Sequence, residues 1–216
     1  MTKKEKALIA VEILKSIYPK APCALDHRYD PWRLLVMARL SAQCTDKRVN
    51  EVSVGLFSKY PDAKALAAAP LADIEELIFS CGLYKTKAKS LKECAKIVCE
   101  KFDGKVPQSE KELLSLPGIG RKIANLLLGE LFSTPMIVAD THCIRISKKL
   151  GLASKADPLT AERELDKLIP KSEQVDFCHR LVQFGRDVCI SRSPKCDVCP
   201  LWDICKEKNK QKKQVD

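Results

Sequence analysis

Two side chains, Lys122 and Asp140, have neighbours that suit chemistry on a polar ligand. Lys122 follows a Gly-Ile-Gly turn, where its amine could act as a nucleophile when neutral or bind a phosphate when charged. Asp140 opens an Asp-Thr-His run, where its carboxylate could stabilise positive charge on a substrate or cap the helix expected from Thr141. Each residue therefore has a catalytic and a purely structural interpretation.

The turn before Lys122 is predicted to separate two short helices. Gly118 is typical of a helix end, and Gly120 is predicted to permit a backbone turn that a Cβ atom would hinder. The second helix should begin at about Arg121, leaving the amides of residues 118–122 unpaired at a positive helix N-terminus. That arrangement suits a phosphate oxygen, although Gly-Ile-Gly alone also fits an ordinary helical hairpin.

Four cysteines within seventeen residues have the spacing C-x6-C-x2-C-x5-C: Cys189, Cys196, Cys199 and Cys205. Thiolates are ligands of both iron–sulfur clusters and structural zinc, and the spacing alone does not decide between the two. The loop between the first two cysteines carries Arg192 and Lys195, which could contact phosphates or be merely solvated. The other cysteines are predicted to be buried thiols: Cys23, Cys44, Cys81, Cys94, Cys99, Cys143 and Cys178.

Helices must position these residues, because helical periodicity dominates the chain. The pattern predicts helices at 4–18, 31–42, 46–59, 62–68, 71–79, 84–102, 109–115, 121–132, 141–149, 159–168 and 173–188, followed by a short C-terminal turn. The first helix is predicted to bury a stripe made of Leu8, Val11, Leu14 or Ile13, and Ile17. The run at 136–138 is strand-like but too short to found a sheet, and the lysine-rich tail at 206–214 should be solvated.

The composition of the chain indicates what kind of partner it binds and in which compartment it works. The net charge of +10 and the pI near 9.0 favour a polyanionic partner. No apolar run approaches the ~20 residues that a membrane span requires, and no signal-peptide cleavage site follows the basic N-terminus, so no membrane association is expected. Eleven irregularly spaced cysteines argue for thiols and a metal centre in a reducing cytoplasm.

The segment Leu-Pro-Gly-Ile-Gly-Arg-Lys, the segment Val-Ala-Asp-Thr-His and the cysteine spacing together resemble the endonuclease III family of helix-hairpin-helix DNA glycosylases. The resemblance covers nearly the whole chain. It implies an all-α fold of two lobes: a six-helix lobe at 24–134 with the hairpin, and a lobe formed by 1–23 and 135–216. It also implies that the four C-terminal cysteines bind a [4Fe-4S] cluster with a structural role.

The resemblance further implies a bifunctional DNA glycosylase and AP lyase that removes oxidised pyrimidines of the thymine glycol type from damaged double-stranded DNA, acting as a monomer. Lys122 would form the Schiff base and Asp140 would support bond cleavage. Gln43 would fill the space left by the extruded nucleotide, and Leu83 would wedge between base steps. The resemblance also places His142 at the DNA-facing site. The other predicted DNA-binding residues follow from the hairpin and from the basic loop between the cysteines: Gly118, Gly120, Arg121, Arg192 and Lys195.

Two alternatives compete with this interpretation. A monofunctional mismatch or adenine glycosylase shares the hairpin and the aspartate, but such relatives usually lack a lysine at the position of Lys122. A noncatalytic helix-hairpin-helix module would bind DNA without any need for Asp140. The residues Ile123, Ala139 and Cys143 depart from the usual family pattern, which leaves the fine substrate preference open.

Overall fold

A computed structural model describes residues 1–207, and the part of the lysine-rich tail from residue 208 onward lies outside the described residues. The chain divides into two compact units, one of residues 23–133 and the other of residues 1–22 together with the chain from residue 134. No helix in the described part is both long and apolar enough to cross a membrane.

The described residues contain helices and no strand, which confirms the all-α prediction. The predicted helix ends agree with the observed ends within two residues. The helices are α1 (Lys3–Ile17), α2 (Pro31–Leu40), α3 (Asp46–Lys59), α4 (Ala63–Ala68), α5 (Leu71–Leu77), α6 (Tyr84–Phe102), α7 (Glu110–Leu114), α8 (Arg121–Phe132), α9 (Thr141–Leu150), α10 (Pro158–Leu168) and α11 (Gln174–Asp187), with 3-10 turns at Lys171–Glu173 and Trp202–Ile204.

Local capping explains why the helix starts were predictable. Side-chain oxygens accept hydrogen bonds from the free amides of the first helical turn at most of the longer helices. The N-cap residues that do so are Thr2, Asp30, Thr45, Asp62, Ser109, Asp140 and Asp157. Proline at the first position of α2 and of α10 reinforces two of these starts, because its ring presets the helical φ and the missing N–H is not needed there.

The buried face of α1 differs from the predicted stripe. The buried residues are Ala7, Ala10, Val11 and Leu14, whereas Leu8 is 41% exposed and Ile17 is 43% exposed. Both stripes have helical spacing, but the observed one includes two alanines, whose small side chains let α10 and α11 of the same unit pack closely. The prediction followed side-chain hydrophobicity and overlooked the space that neighbouring helices require.

The run at 136–138 is apolar and mostly buried, and it forms no strand in the structure. Ile137 and Val138 are buried, and the amide of Val138 donates to the sulfur of Cys178 at 3.3 Å. The amide of Asp140 then donates to the carbonyl of Val138 at 2.8 Å, which turns the chain into α9. The segment is therefore a buried connection that leads directly to the Asp140 cap.

The prediction of seven buried thiols is correct for Cys81, Cys94, Cys143 and Cys178. It is wrong for Cys23, Cys44 and Cys99, which are only half-buried. Cys23 and Cys44 lie in connections between helices, and Cys99 lies near the end of α6. A place in a connection does not by itself decide burial, because Cys81 lies between α5 and α6 and is fully buried.

Candidate active site and metal centre

The hairpin turn, which comprises residues 116–122, joins α7 to α8. Its left-handed residue is Gly118, with φ +79°, whereas Gly120 has an extended backbone with φ −103° and ψ 176°. A Cβ atom on Gly118 would lie 2.3 Å from Nε of Arg39 and 3.1 Å from Oγ of Ser90. A Cβ atom on Gly120 would meet no atom within 4 Å. The prediction that Gly120 supplies the conformational freedom was therefore wrong, because Gly118 does.

The amides of the hairpin turn only partly follow the prediction. The amide of Ile119 donates to the carbonyl of Leu116 at 3.1 Å, so it is not available to a ligand. Within residues 1–207, the amides of Gly118, Gly120 and Lys122 have no hydrogen-bond acceptor. These three donors lie around the start of α8, where the helix dipole adds positive potential. The turn thus retains the character of an anion-binding site.

Lys122 is an exposed residue of the first turn of α8. None of the carboxylates described in residues 23–133 forms an ion pair with its amine. The neighbouring Arg121 differs, because its guanidinium is 3.1 Å from a carboxylate oxygen of Glu110 on α7. That ion pair holds Arg121 against the hairpin, while the Lys122 side chain extends from a fixed helical backbone.

Asp140 is the N-cap of α9. Its Oδ1 accepts a hydrogen bond from the amide of Cys143 at 2.7 Å, and the residue is half-buried. The structural role that the sequence allowed is therefore present. Among the described residues of its own unit, no donor bonds to Oδ2. One oxygen fixes the carboxylate, and the second oxygen is left for another partner.

The four C-terminal cysteines form no disulfide and are half-buried. Burial raises the pKa of Cys199 to about 11, and the nearby thiols of Cys189, Cys205 and Cys196 add to that effect. In the described part of the chain, however, no three of these sulfurs lie within 4.8 Å of one another. Tetrahedral zinc, with Zn–S bonds of ~2.3 Å, needs S···S separations of ~3.8 Å. The sulfurs are near one another but too far apart for a single zinc ion, which fits a larger cluster.

Helix α9 also contacts the ligand loop, defined here as residues 189–205. The Arg145 guanidinium donates to the Cys189 carbonyl and approaches its sulfur at 3.5 Å. Its other terminal nitrogen lies 3.2 Å from Nδ1 of His142. At the end of α9, the carbonyl of Lys149 accepts from the Cys205 thiol at 3.7 Å. The sequence prediction missed Arg145 and Lys149; the available signal was that Arg145 lies one helical turn after His142.

Gln43 and Leu83 are brought together by the structure. Both have left-handed backbones, with φ +54° and +59°, and both are exposed. A Cβ atom on Gly82 would lie 3.1 Å from the carbonyl oxygen of Gln43, so the two connections touch. The fully buried Lys87, four residues after Leu83, donates from Nζ to the carbonyl of Leu40, three residues before Gln43, at 2.8 Å. Left-handed non-glycine residues store strain and concentrate at functional sites.

Two family models match the chain. Residues 36–171 match the HhH-GPD superfamily base excision DNA repair proteins, and residues 189–205 match the iron–sulfur binding domain of endonuclease III. Endonuclease III of Synechocystis is 45% identical over 94% of this chain and 93% of the relative. Endonuclease III of Bacillus subtilis is 41% identical over 92% of this chain and 90% of the relative.

The chain belongs to the endonuclease III family. Its structure is similar to that of a trapped endonuclease III–DNA covalent intermediate, with a TM-score of 0.93 and 39% identity over 98% of this chain and 100% of that chain. The suspected family, the fold and the iron–sulfur cofactor are thereby confirmed. This endonuclease III family member is an enzyme, a DNA glycosylase and AP lyase of base excision repair.

Proposed function

We propose that this enzyme releases oxidised pyrimidines, of the thymine glycol type, from damaged double-stranded DNA with Lys122 as its nucleophile. The amine of Lys122 attacks C1′ of the damaged nucleotide, the N-glycosidic bond breaks, and the base leaves with the bonding electrons. The bond between C1′ and the ring oxygen O4′ then breaks and O4′ takes up a proton, which leaves a Schiff base between Lys122 and C1′. That Schiff base acidifies the C2′ proton. Loss of that proton expels the 3′ phosphate by β-elimination and cuts the strand.

The observation that carries this proposal is the similarity to a trapped endonuclease III–DNA covalent intermediate, in a chain that has an exposed lysine at the head of α8. A covalent intermediate requires a nucleophile on the protein. The backbone of Lys122 is fixed in the first turn of α8, beside the hairpin turn, and its exposed side chain is free to reach a ligand bound there. A monofunctional glycosylase, in contrast, would form no covalent intermediate.

Asp140 is proposed to stabilise the positive charge that develops on the sugar as the glycosidic bond breaks. Its hydrogen bond to the Cys143 amide holds Oδ1, so the carboxylate keeps one orientation before the substrate arrives. A preorganised charge acts without the cost of reorganisation during the reaction. Oδ2 is the oxygen proposed to face the reacting sugar or to take the proton from Lys122.

The hairpin turn is proposed to bind a DNA phosphate. The free amides of Gly118, Gly120 and Lys122 would donate to phosphate oxygens, and Arg121 would add a charge beside them. The empty space where a Gly120 side chain would lie supports this role, because it lets a phosphate approach the backbone closely. Gly118 supports the same contact indirectly by shaping the turn.

Gln43 and Leu83 are proposed to act as one unit at the position of the extruded nucleotide. Gln43 can both donate to and accept from an orphaned base, and Leu83 can replace lost stacking with apolar contact. Their adjacent exposed positions support this pairing. His142, Arg192 and Lys195 are proposed as additional DNA contacts. The latter two are exposed in the ligand loop, which the [4Fe-4S] cluster would hold through Cys189, Cys196, Cys199 and Cys205.

We further propose that the two lobes of the enzyme are residues 24–134 and residues 1–23 with 135–216, that the enzyme acts as a monomer, and that it works in the reducing cytoplasm. The two compact units into which the chain divides have nearly the same bounds, and this agreement supports the proposed lobes. Four cysteine thiols without disulfide bonds support the last of these proposals, because such thiols persist in reducing compartments.

Borohydride trapping tests the proposal. Wild-type enzyme should be trapped covalently on duplexes with thymine glycol or an abasic site, and much less on uracil or on adenine opposite 8-oxoguanine. Lys122→Gln should abolish base release and trapping, while Asp140→Asn should lower base release by ~100-fold or more and affect a preformed abasic site less. Lys89→Gln removes another exposed lysine of the same unit and should trap like wild type. Trapping of Lys122→Gln at the wild-type rate would show that another amine is the nucleophile.

A further inference from the structure

A second group of possible metal ligands lies in the unit of residues 23–133, remote in sequence from the ligand loop. It consists of Cys23 and His27, on the connection before α2, and Glu130, in the last turn of α8. The Cys23 sulfur, a ring nitrogen of His27 and a carboxylate oxygen of Glu130 all lie within 4.8 Å of one another. We propose that these three side chains bind a zinc ion, with water as the fourth ligand.

The donor geometry matches zinc. Nε2 of His27 is 3.3 Å from Oε1 of Glu130. A tetrahedral ion with Zn–N and Zn–O bonds of ~2.0–2.2 Å requires an N···O separation of ~3.4 Å. The nitrogen and the oxygen are therefore already separated by the distance between two ligands of a tetrahedral zinc ion. The Cys23 sulfur, within 4.8 Å of both, needs only a small shift to become the third ligand.

The donor set also balances charge. A thiolate and a carboxylate contribute two negative charges, neutral imidazole contributes none, and Zn²⁺ cancels the total. Such neutrality matters because His27 is 5% exposed and the Glu130 side chain is 14% exposed, where an uncompensated charge would be costly. Cys23 is half-buried, so an ion can reach the site from solvent. Without metal, burial raises the pKa of the Cys23 thiol to about 12, and the hydrogen bond from the Leu25 amide offsets only part of that rise, so the thiolate form depends on the charge of the bound Zn²⁺.

Binding must rearrange one hydrogen bond. The amide of Tyr29 donates to Nδ1 of His27 at 3.1 Å, so without metal the imidazole hydrogen lies on Nε2 and points to Glu130. Zinc at Nε2 moves that hydrogen to Nδ1, and the Tyr29 amide loses its acceptor. The Cys23 thiol releases one proton to solvent. Arg28 and Tyr29 have left-handed backbones, with φ +53° and +58°, so this connection is strained and can relax when the bond is lost.

The position of the site suggests its effect. Zinc would fasten the connection before α2 to the end of α8, the helix whose other end carries the hairpin turn. Cross-linking distant parts of the sequence in the folded state stabilises that state by preferential binding. The site would therefore be structural, and it is independent of the proposed reaction at Lys122.

The test uses the holoenzyme with its full iron and sulfide content. Equilibrium dialysis against Zn²⁺, followed by metal analysis, should find one zinc per chain with no loss of iron. Zinc-edge X-ray absorption should show one sulfur at ~2.3 Å with nitrogen and oxygen neighbours. Zinc should also raise the melting temperature and accelerate hydrogen exchange at the Tyr29 amide.

Three ligand variants should each weaken zinc binding by ~100-fold or more, above the ~10–100-fold typical of merely supporting residues: Cys23→Ser, His27→Gln and Glu130→Gln. Because Glu130→Gln keeps the size of the side chain, loss of zinc in that variant can be assigned to the lost carboxylate and not to misfolding. Cys99→Ser and His179→Gln, which alter a cysteine and a histidine elsewhere, should bind zinc like wild type. Absence of stoichiometric zinc, retention of zinc in the ligand variants, or a four-sulfur environment would each overturn the proposal.

Discussion

The hairpin turn and the ligand loop are both short irregular segments proposed to contact DNA, but they are held in different ways. The hairpin turn is anchored by buried apolar residues, with Leu116 at 2% and Ile119 at 6% exposure, and by the fit of Gly118 over Arg39. In the ligand loop only Leu201 and Ile204 are buried. A segment of seventeen residues with so small a core depends on its metal for a fixed shape.

The two segments should therefore resist different perturbations. A segment held by packing is sensitive to side-chain volume and backbone conformation, while removal of metal should leave it unchanged. A segment held by a metal is sensitive to its ligands and tolerant of changes at its exposed residues. Changes to the cluster, to the hairpin glycines and to the loop charges should therefore have distinct effects.

Loss of the cluster should have the largest effect. Cys199→Ala should abolish stoichiometric binding of iron and sulfide, because four thiolates are needed to hold the cluster. Hydrogen exchange at residues 189–205 should then rise by ~100-fold or more, while the amides of α8 keep their protection. Cys99→Ala, at a cysteine of α6, should retain iron. If the amides of the ligand loop remained protected without iron, apolar contacts alone would be holding its shape. The contrast with the hairpin turn would then be wrong.

A methyl group in the hairpin turn should have an intermediate effect. Gly118→Ala places a Cβ atom against the Arg39 guanidinium in a left-handed conformation, so it should lower the free energy of unfolding by ~1–3 kcal/mol. Gly120→Ala should change it by no more than ~0.5 kcal/mol, because nothing occupies that space, but it should weaken binding to duplex DNA. Denaturant melts and duplex titrations measure the two effects. Equal destabilisation by both variants would contradict the distinct roles of the two glycines.

The charges of the ligand loop should have the smallest effect. The double variant Arg192→Gln, Lys195→Gln should keep its fold and iron, because both side chains are exposed. If each contacts one phosphate, the slope of log affinity against log salt should become less steep by ~1.8. The matched variant Lys96→Gln, Lys101→Gln removes two exposed charges of α6 and should keep the wild-type slope. An unchanged slope in the first variant would place the ligand loop away from DNA.

The features predictable from sequence are those specified within a few residues. Asp140 as a helix cap was foreseeable because both the capping oxygen and its donor, the Cys143 amide, lie within one turn. An iron–sulfur centre in this part of the chain was foreseeable because four thiols at such short spacing are typical of a metal centre, and residues 189–205 match the iron–sulfur binding domain of endonuclease III. Helix bounds followed from the same local signals.

The missed features depend on residues far apart in the chain. Gly118 matters because Arg39, almost eighty residues earlier, packs against it. Arg145 matters because it meets Cys189, and the pairing of His27 with Glu130 was missed because 103 residues separate them. Periodicity gives the faces of a helix but not the partner that each face will meet, so such pairs become visible only in the folded chain.

Helix α9 has a consequence for how the enzyme matures. Asp140 caps its start, Arg145 contacts Cys189 at one end of the ligand loop, and the carbonyl of Lys149 accepts from the amide of Lys206, directly after Cys205 at the other end. Because so short a segment depends on its metal for a fixed shape, we expect both contacts to lose a fixed partner until iron and sulfide arrive, and the helix capped by the proposed catalytic carboxylate to be anchored less firmly. Catalytic competence would then be gained at cluster insertion and not at the end of translation. A newly made chain would remain unable to nick the genome until its cofactor had been delivered.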